Sequence, residues 1–198
     1  CVISDFPNNK TSILIHNPDV LLSIPEIELK ALISVADDAQ LGFGISFHSS
    51  LPVGVIDTIA PTVAQLPMSI VDRRFVPLAN YLSSRHKTRL FFRSIFLQGL
   101  LLKNISEQIV LFPKNVAQFN AFQKFCSDAN MSPYELCVAS SMRDLEEFQS
   151  AYTVLGLRTC REVQQIQDLA GSEAFDAKRQ MIDWGNAPVW DEDLIDPG

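Results

Sequence analysis

The sequence lacks a run of apolar residues long enough to cross a membrane. A membrane-spanning helix needs about 18–20 apolar residues, and the longest apolar stretch, LFFRSIFLQGLLL, is interrupted by Arg93 and Gln98. The start, CVISDFPNNK, has no basic segment followed by an apolar one, as a secretion signal would. We therefore expect no membrane partner and a location in the cytoplasm.

An excess of basic charge is also missing. The chain has 16 Lys and Arg residues against 23 Asp and Glu residues, and its formal net charge is −7. Nucleic acids and anionic lipids bind to basic surfaces, so neither is expected as a partner. With 47% hydrophobic residues over 198 positions, the composition is that of a globular protein with a sizeable core.

Metal-binding spacing is absent from the four cysteines, Cys1, Cys126, Cys137 and Cys160, which form no CxxC pair. We expect no metal site, and we expect buried or idle thiols, as in a reducing compartment. The chain begins with Cys rather than Met. This start suggests that the chain is a piece of a longer protein.

Five short apolar runs have the length of β-strands, and segments with helical spacing follow them. The predicted strands are residues 12–16, 41–46, 62–69, 88–96 and 151–157. The predicted helices are residues 24–39, a short one in the fifties, 76–87, 115–130 and 161–173. Another helix is expected to begin after Ser132, with Glu135 completing a capping box.

Alternating apolar strands and helices are typical of a parallel sheet covered by helices. An open doubly wound sheet and part of a (β/α)8 barrel both fit this order. The first strand is not followed by GxGxxG, so the dinucleotide-binding doubly wound sheet has no support. A full barrel needs about 250 residues. The sequence therefore predicts an α/β fold, a partial (β/α)8 barrel over residues 1–172 with a C-terminal tail over 173–198.

The first predicted strand delivers a histidine to its end, in SILIHNPD. An imidazole at the rim of a parallel sheet is suited to polarise or protonate a bound group. The alternative for His16 is a strand-end side chain that is satisfied by a neighbouring carbonyl. His48 and His86 are expected at the surface.

Five segments in order, SILIHNPD, LGFGISFHS, VAQLPMSIVDRRF, FRSIFLQGLLL and TVLGLRTCREVQQ, resemble the second half of the aldo/keto reductases. The bacterial branch with RSxFLQGLLL at its seventh strand is the most similar, and the resemblance spans about residues 12–172. It implies a (β/α)8 barrel that reduces carbonyls with NADP or NAD as its cofactor. The five units here would then correspond to strands four to eight.

The resemblance implies a catalytic role for His16, which stands where the family has the histidine of strand four. Such a histidine hydrogen-bonds the substrate carbonyl oxygen, where charge develops as hydride arrives. The family's catalytic Asp, Tyr and Lys belong to the first three units, which this chain lacks. We therefore expect this chain alone to be inactive toward a small carbonyl substrate.

Ser46 and Gln65 match residues that hold the nicotinamide carboxamide in the family. Phe47 replaces the family's Asn, so one amide is missing from the set. The alternative for Gln65 is a residue inside the barrel that is bonded to a neighbour. Ser94 matches a serine near the cofactor pyrophosphate. Arg93 replaces an aromatic residue, and either stacking on the nicotinamide or pairing with Asp72 fits its chemistry.

The segment GLRTCREVQQI resembles the loop and helix start that hold the adenosine phosphate. The positions implied to bind the cofactor there are Gly156, Arg158, Thr159 and Gln165, the last replacing an acid. Glu162 stands where a basic or amide residue often meets the 2′-phosphate, and Ile166 replaces an Asn. These departures weaken the expectation of NADPH in particular.

Two functions follow as hypotheses. One is the C-terminal part of an NAD(P)-dependent oxidoreductase, and the other is a non-enzymatic remnant that serves as a binding or interaction module. An opened barrel has two strand edges with unpaired backbone groups, one of them near residues 12–16. We expect a homodimer through such edges, or a covering by the tail in which Trp184 and Trp190 pack.

Overall fold

The computed structural model describes residues 11–190, so the expectation for Cys1 and the part of the predicted C-terminal tail after Trp190 fall outside it. Five strands form one sheet in chain order. They are β1 (Ser12–Ile15), β2 (Gly42–Ser46), β3 (Val63–Pro67), β4 (Arg89–Arg93) and β5 (Ala151–Thr153). β1 pairs with β2, and β2 with β3, in parallel. The predicted α/β class, with five parallel strands ordered as in part of a barrel, is confirmed.

Eight α-helices connect and follow the strands in the described range. They are α1 (Glu26–Asp38), α2 (Val53–Ile59), α3 (Val76–Tyr81), α4 (Ile105–Leu111), α5 (Val116–Asp128), α6 (Pro133–Glu147), α7 (Cys160–Ala170) and α8 (Glu173–Gln180). A π-helical turn, Leu82–His86, continues α3. None of the described helices is both long enough and apolar enough to span a membrane.

Two compact units divide the chain. The first unit contains the residues up to Pro67, Phe75–Phe92 and Phe148–Tyr152, and the second contains Met68–Arg74, Arg93–Glu147 and the residues from Thr153 onward. The first unit therefore holds most of the sheet with α1 and α2. The second holds the helices α4 to α8.

In the first unit, one face of the sheet is buried by apolar side chains. Alternate residues of a strand share a face, and on this face they are almost all inaccessible to solvent: Phe43, Ile45, Ala64, Leu66, Leu90 and Phe92. Helix α1 contacts β2 and α2. The opposite face is more open, because Leu14 and Tyr152 are 40% and 51% exposed.

In the second unit, aromatic residues of the helices form the centre of the core. The ring of Trp190 lies edge-on to Phe119 and Phe122, with centroids 5.5 and 6.1 Å away. The backbone N–H of Trp190 donates to the carbonyl of Val71 at 3.0 Å. Trp190, expected to cover a strand edge, thus packs among the aromatic residues of its own unit.

Helix boundaries follow the predicted capping signals. The Ser132 N–H donates to the Glu135 carboxylate at 2.8 Å, and the Glu135 N–H donates to the Ser132 hydroxyl at 3.2 Å. This is the predicted capping box. The region expected as a tail contains α8, which begins where the Phe175 N–H donates to the hydroxyl of Ser172 at 3.3 Å.

The fourth strand was expected to reach residue 96, but it ends at Arg93. Ser94 has φ 64°, and Leu97, Gln98 and Gly99 also have positive φ. A left-handed residue turns the chain out of the extended conformation. The sequence RSIFLQGLLL therefore leaves the sheet and forms short 3₁₀ turns over Leu97–Leu102.

The described cysteines are free thiols. Cys126 and Cys137 are buried, while Cys160 is exposed at the start of α7. Burial raises the pKa of Cys126 to about 12 and also raises the pKa of Cys137. Within residues 11–190, no three His, Cys, Asp or Glu side chains gather as metal ligands would.

Candidate functional site

His16 lies just beyond β1, where Asn17 and Pro18 end the strand. The Asn17 side chain accepts the Asp19 N–H at 3.1 Å and so begins the 3₁₀ turn Pro18–Leu22. The imidazole of His16 is exposed. The strand therefore presents this side chain at its carboxyl end, as the sequence predicted.

A second histidine lies against His16 and was not predicted to belong to this site. The two rings meet edge to face with centroids 5.2 Å apart, and Nε2 of His48 hydrogen-bonds the backbone carbonyl of His16. His48, expected at the surface, is half-buried. The Ser49 hydroxyl donates to the Asp19 carboxylate at 2.7 Å. In the sequence, the polar run His48–Ser50 after the second strand was the signal that could have indicated this contact.

Ser46 and Gln65 are brought together by the register of β2 and β3, in which they are direct partners. The Ser46 hydroxyl donates to Gln65 Oε1 at 3.0 Å. Ser46 is 3% exposed, and Gln65 is half-buried. The Gln65 amide nitrogen has no hydrogen-bond partner among the described residues. The bond to Ser46 agrees with the alternative hypothesis that Gln65 is bonded to a neighbour. The two N–H donors of the Gln65 amide nevertheless remain for a ligand.

Phe47 continues β2 into the core. Its N–H donates to the Gln65 carbonyl at 2.8 Å, and its side chain is 0% exposed. An apolar ring in that position supplies neither donor nor acceptor. The carboxamide-like site is therefore limited to Ser46 and Gln65.

Arg93 and Ser94 belong to the second unit. The guanidinium of Arg93 donates to the Ser94 hydroxyl at 3.2 Å, and the Arg93 carbonyl accepts the Met68 N–H at 3.0 Å. Asp72 is 1% exposed and pairs with Arg74 at 3.0 Å. The roles of Arg93 and Ser94 toward a cofactor stay predictions.

In the segment predicted to bind the cofactor phosphate, the Glu162 carboxylate occupies the position of an anion. Thr159 caps α7 by accepting the Glu162 N–H at 3.2 Å, and the Arg158 N–H donates to Glu162 Oε2 at 2.6 Å. The Arg158 guanidinium lies 3.8 Å from the same carboxylate. Gly156 and Gln165 are exposed. Two of the groups that would attract a phosphate are thus already bonded to an acid.

The two ends of a nicotinamide cofactor therefore fit this chain differently. The Ser46 hydroxyl and the Gln65 amide fit a carboxamide, because they offer both an acceptor and donors. The residues around Thr159 do not fit a 2′-phosphate, since the Glu162 carboxylate is of the same charge sign.

Three further polar side chains form a cluster in the first unit. The Tyr81 hydroxyl donates to Asp57 at 2.5 Å, and His86 Nε2 lies 2.9 Å from the same carboxylate oxygen. The hydrogen bond from Tyr81 lowers the pKa of Asp57, and the same bond raises the pKa of Tyr81. The His86 side chain is 11% exposed, although it was expected at the surface. This cluster joins α2 to the π-helical turn.

A buried acid in the second unit is fully paired. Asp144 is 1% exposed and accepts from Arg73 at 2.7 Å and from Arg143 at 3.1 Å. The Arg143 guanidinium also lies over the Trp184 ring, 4.6 Å from its centroid. This network stabilises α6 within its unit and presents no open carboxylate.

No protein-family model and no curated protein match the chain. Its fold is similar to the solved structure of an aldo/keto reductase, the glycerol dehydrogenase AKR11B4 from Gluconobacter oxydans, with a TM-score of 0.58 and 17% identity. The match covers 88% of this chain and 58% of that one. The chain therefore has the fold of a little more than half of an aldo/keto reductase.

Proposed function

We propose that the chain is the C-terminal part of an NAD(P)-dependent oxidoreductase that reduces carbonyls, and that it has no reductase activity by itself. The observation that carries this proposal is the pair of Ser46, at the carboxyl end of β2, and Gln65, in the middle of β3. Ligands of parallel sheets bind at the carboxyl ends of strands, and Ser46 lies at such an end. The solved structure with a similar fold is that of a glycerol dehydrogenase, a name that denotes an oxidoreductase.

The pair complements a carboxamide group by group. The Gln65 N–H groups donate to the carboxamide oxygen, while the Ser46 oxygen, whose hydrogen is given to Gln65, accepts from the carboxamide nitrogen. The bound nicotinamide supplies the hydride. The other predicted cofactor contacts, from Arg93, Ser94 and the segment around Thr159, are part of the proposal with lesser support.

His16 holds the substrate in this proposal. Its imidazole N–H donates to the carbonyl oxygen, which gains negative charge as the carbon is reduced. The exposed ring is accessible to a ligand, and His48 supports its position through the edge-to-face contact and the bond to the His16 carbonyl. His48 is a positioning residue.

Two of the three tyrosines of this chain are held in contacts that make them poor general acids, which supports the proposed inactivity. A general acid works best with a pKa near the operating pH. Tyr81 donates to Asp57, which raises the Tyr81 pKa, and burial raises the pKa of Tyr134, whose ring stacks on Phe96 with centroids 5.4 Å apart. Neither is suited to give up a proton near neutral pH.

The closed turn at α7 favours NADH over NADPH in this proposal. A 2′-phosphate near Thr159 would meet the Glu162 carboxylate, which already holds the Arg158 N–H. Like charges at short distance repel. NADH places hydroxyl groups there instead, and these can donate to a carboxylate.

The experiment is a fluorescence titration of the chain with NADH and with NADPH, followed by an assay with an activated aldehyde. We expect NADH to bind more tightly than NADPH and neither to be oxidised. Gln65→Leu should weaken NADH roughly tenfold, since it removes hydrogen bonds to a polar ligand. Gln167→Leu, at an exposed position of α7, is the matched control and should change nothing. Turnover by the chain would contradict the proposed inactivity.

The second candidate is a non-enzymatic module with the aldo/keto reductase fold. Two observations favour it: the Glu162 carboxylate at the start of α7, and the fully buried Phe47. The same titration separates the two candidates. If neither nucleotide binds at millimolar concentration, the module is the better account.

Two further expectations belong to the proposal. A homodimer through β1 is supported by its place at the edge of the sheet and by Ile13 and Leu14, which are 45% and 40% exposed. A reducing compartment such as the cytoplasm is supported by the free thiols of Cys126, Cys137 and Cys160.

A further inference from the structure

We propose that a cavity on the open face of the sheet binds a small organic carboxylate, which the guanidinium of Arg89 holds. The cavity has a volume of about 220 Å³ and lies within the first unit. It is lined by two alternate residues from each of three strands: Ser12, Leu14, Val63, Gln65, Arg89 and Phe91. These residues lie toward the amino ends and middle of the strands, whereas His16 follows the carboxyl end of β1.

β2 contributes no residue to the lining of the cavity, and it has glycines where its neighbours have side chains. Gly42 pairs in register with Ser12, and Gly44 pairs with Leu14 on one side and Val63 on the other. A Cβ on Gly42 would lie 2.5 Å from Ser12 Oγ, and one on Gly44 would lie 2.4 Å from the Val63 carbonyl oxygen. Neither glycine can be replaced without displacing these atoms, so β2 presents no side chain between the cavity-lining side chains of its neighbours.

Arg89 brings a positive charge to this space, and its side chain has no acidic partner within residues 11–190. It is half-buried, and its one side-chain hydrogen bond among the described residues is a long one, 3.5 Å from Nη2 to Ser12 Oγ. A guanidinium carries five N–H donors. Since buried charges are normally paired, this side chain has the donors and the charge to bind an anion.

The second polar group of the cavity is also a donor. The Gln65 amide nitrogen is without a hydrogen-bond partner in the described part of the chain, because Ser46 donates to its oxygen instead. Arg89 and Gln65 both line the cavity, and both have N–H groups that a ligand in the cavity can accept. A carboxylate accepts two parallel hydrogen bonds from a guanidinium and has capacity for further donors.

The remaining walls are apolar and select the body of the ligand. Leu14, Val63 and Phe91 form them, and the Phe91 ring is held by stacking on Tyr152, with centroids 5.1 Å apart and planes at 21°. A carboxylic acid with a compact aromatic or branched apolar body fits this volume and these walls. An inorganic anion would leave the apolar surface wet.

This inference does not depend on the proposed oxidoreductase function. The two sites share only Gln65, and Arg89 has no part in the carboxamide pair. The chain carries a net charge of −7, so long-range attraction does not draw anions to it. Binding must come from Arg89 and the shape of the cavity.

The test is a titration of the ¹⁵N-labelled chain with benzoate and with its neutral analogue benzamide, followed by NMR. We expect benzoate to shift signals of residues in β1, β3 and β4, and benzamide to bind at least tenfold more weakly. Arg89→Met should weaken benzoate roughly tenfold or more, because it removes hydrogen bonds to a charged group. Arg85→Met, at an exposed position of the same unit with the same change in charge, is the control and should have no effect.

A second variant keeps the charge and fills the space. Leu14→Phe retains Arg89 at a position that is already 40% exposed, and it should also weaken benzoate. Equal binding of benzoate by Arg89→Met and the unchanged chain, or no binding of benzoate at all, would overturn the proposal. So would a dimer that Arg89→Met dissociates, since the carboxylate would then come from a second copy. NADH binding should persist in Arg89→Met, which separates this proposal from the proposed function.

Discussion

In the middle of β3, Gln65 keeps its amide N–H groups without partners in the described chain, whereas at the start of α7 the Glu162 carboxylate accepts the Arg158 N–H. Both regions belong to the proposed cofactor contacts. In the first region, N–H donors are open to a ligand. In the second region, a carboxylate of the chain itself occupies such a donor.

The difference extends beyond these two places. In the first unit, Arg89 lies in a cavity with one long hydrogen bond. In the second unit, the buried Asp144 is bonded to both Arg73 and Arg143. Unused donors indicate ligand binding, whereas satisfied groups indicate a structural role. The comparison therefore predicts that substitutions of Gln65 or Arg89 change ligand binding, whereas substitution of Asp144 changes stability.

The largest expected effect is at Asp144. Asp144→Ala leaves the Arg73 and Arg143 guanidiniums without their buried acid, and breaking such a pair costs about 3–5 kcal/mol. The free energy of unfolding, measured by urea denaturation, should fall by this amount. Glu146→Ala, in the same helix but with a side chain 62% exposed, should cost less than about 1 kcal/mol. Equal losses in the two variants would show that the network is not the stabilising feature.

The buried thiols of the second unit predict a loss of stability at alkaline pH. The folded state raises the pKa of Cys126 to about 12 and raises that of Cys137 as well, because burial disfavours the thiolate. The unfolded chain releases these protons near pH 8.5. Stability should therefore be constant below that pH and fall above it, by up to about 1.4 kcal/mol per pH unit for each thiol.

Urea denaturation between pH 8 and pH 10.5 measures this slope. Cys126→Ala combined with Cys137→Ala should flatten it, even though the double variant is less stable than the unchanged chain near neutral pH. Cys160→Ala is the control, because that thiol is exposed and its loss should leave the slope unchanged. A slope that survives in the double variant would have another origin.

A smaller effect is expected at Ser46. Ser46→Ala removes the hydroxyl that donates to Gln65 Oε1, and a lost hydrogen bond of this kind costs about 1 kcal/mol. NADH should bind more weakly to this variant than to the unchanged chain, as the pair has lost its acceptor. Ser50→Ala, at an exposed position after β2, should alter neither property. Calorimetric melting and the NADH titration together check this prediction.

The smallest effect is expected at Glu162. Glu162→Gln keeps the length of the side chain but removes its charge at the start of α7, where a negative charge contributes about 0.3–1 kcal/mol. Melting should shift only slightly. NADPH should gain affinity relative to NADH, because the charge that repels its 2′-phosphate is gone. An unchanged preference would mean that Glu162 does not face the 2′-position.

The sequence predicted the strands and their order because each is a short apolar run followed by a break. It also predicted the capping box of Ser132 and Glu135, since both residues of that motif are local in the chain. The turn after β4 was missed. Its positive φ values fall on Ser94, Leu97 and Gln98 as well as on a glycine, and non-glycine residues give no signal for such a turn.

The candidate site was predicted only in part. His16 and Ser46 lie at strand ends, as the apolar runs required, whereas Gln65 lies in the middle of β3. The contact of His48 with His16 depends on how neighbouring strands align, which residue order alone does not reveal. The bond between the Arg158 N–H and Glu162 could not be predicted from the sequence either. An acid three residues after a threonine can bond to the start of the helix or point away from it. Predicting the cavity around Arg89 would have required the register of the three strands that line it.

The most direct test of the central claim is the ¹H–¹⁵N NMR signal of the Gln65 side-chain amide, identified by its loss in Gln65→Leu. On addition of NADH, this signal should shift as the amide binds the nicotinamide carboxamide. ADP-ribose, which lacks the nicotinamide, should leave it in place. An NADH complex in which the Gln65 signal does not move, or an equal shift with ADP-ribose, would contradict the account.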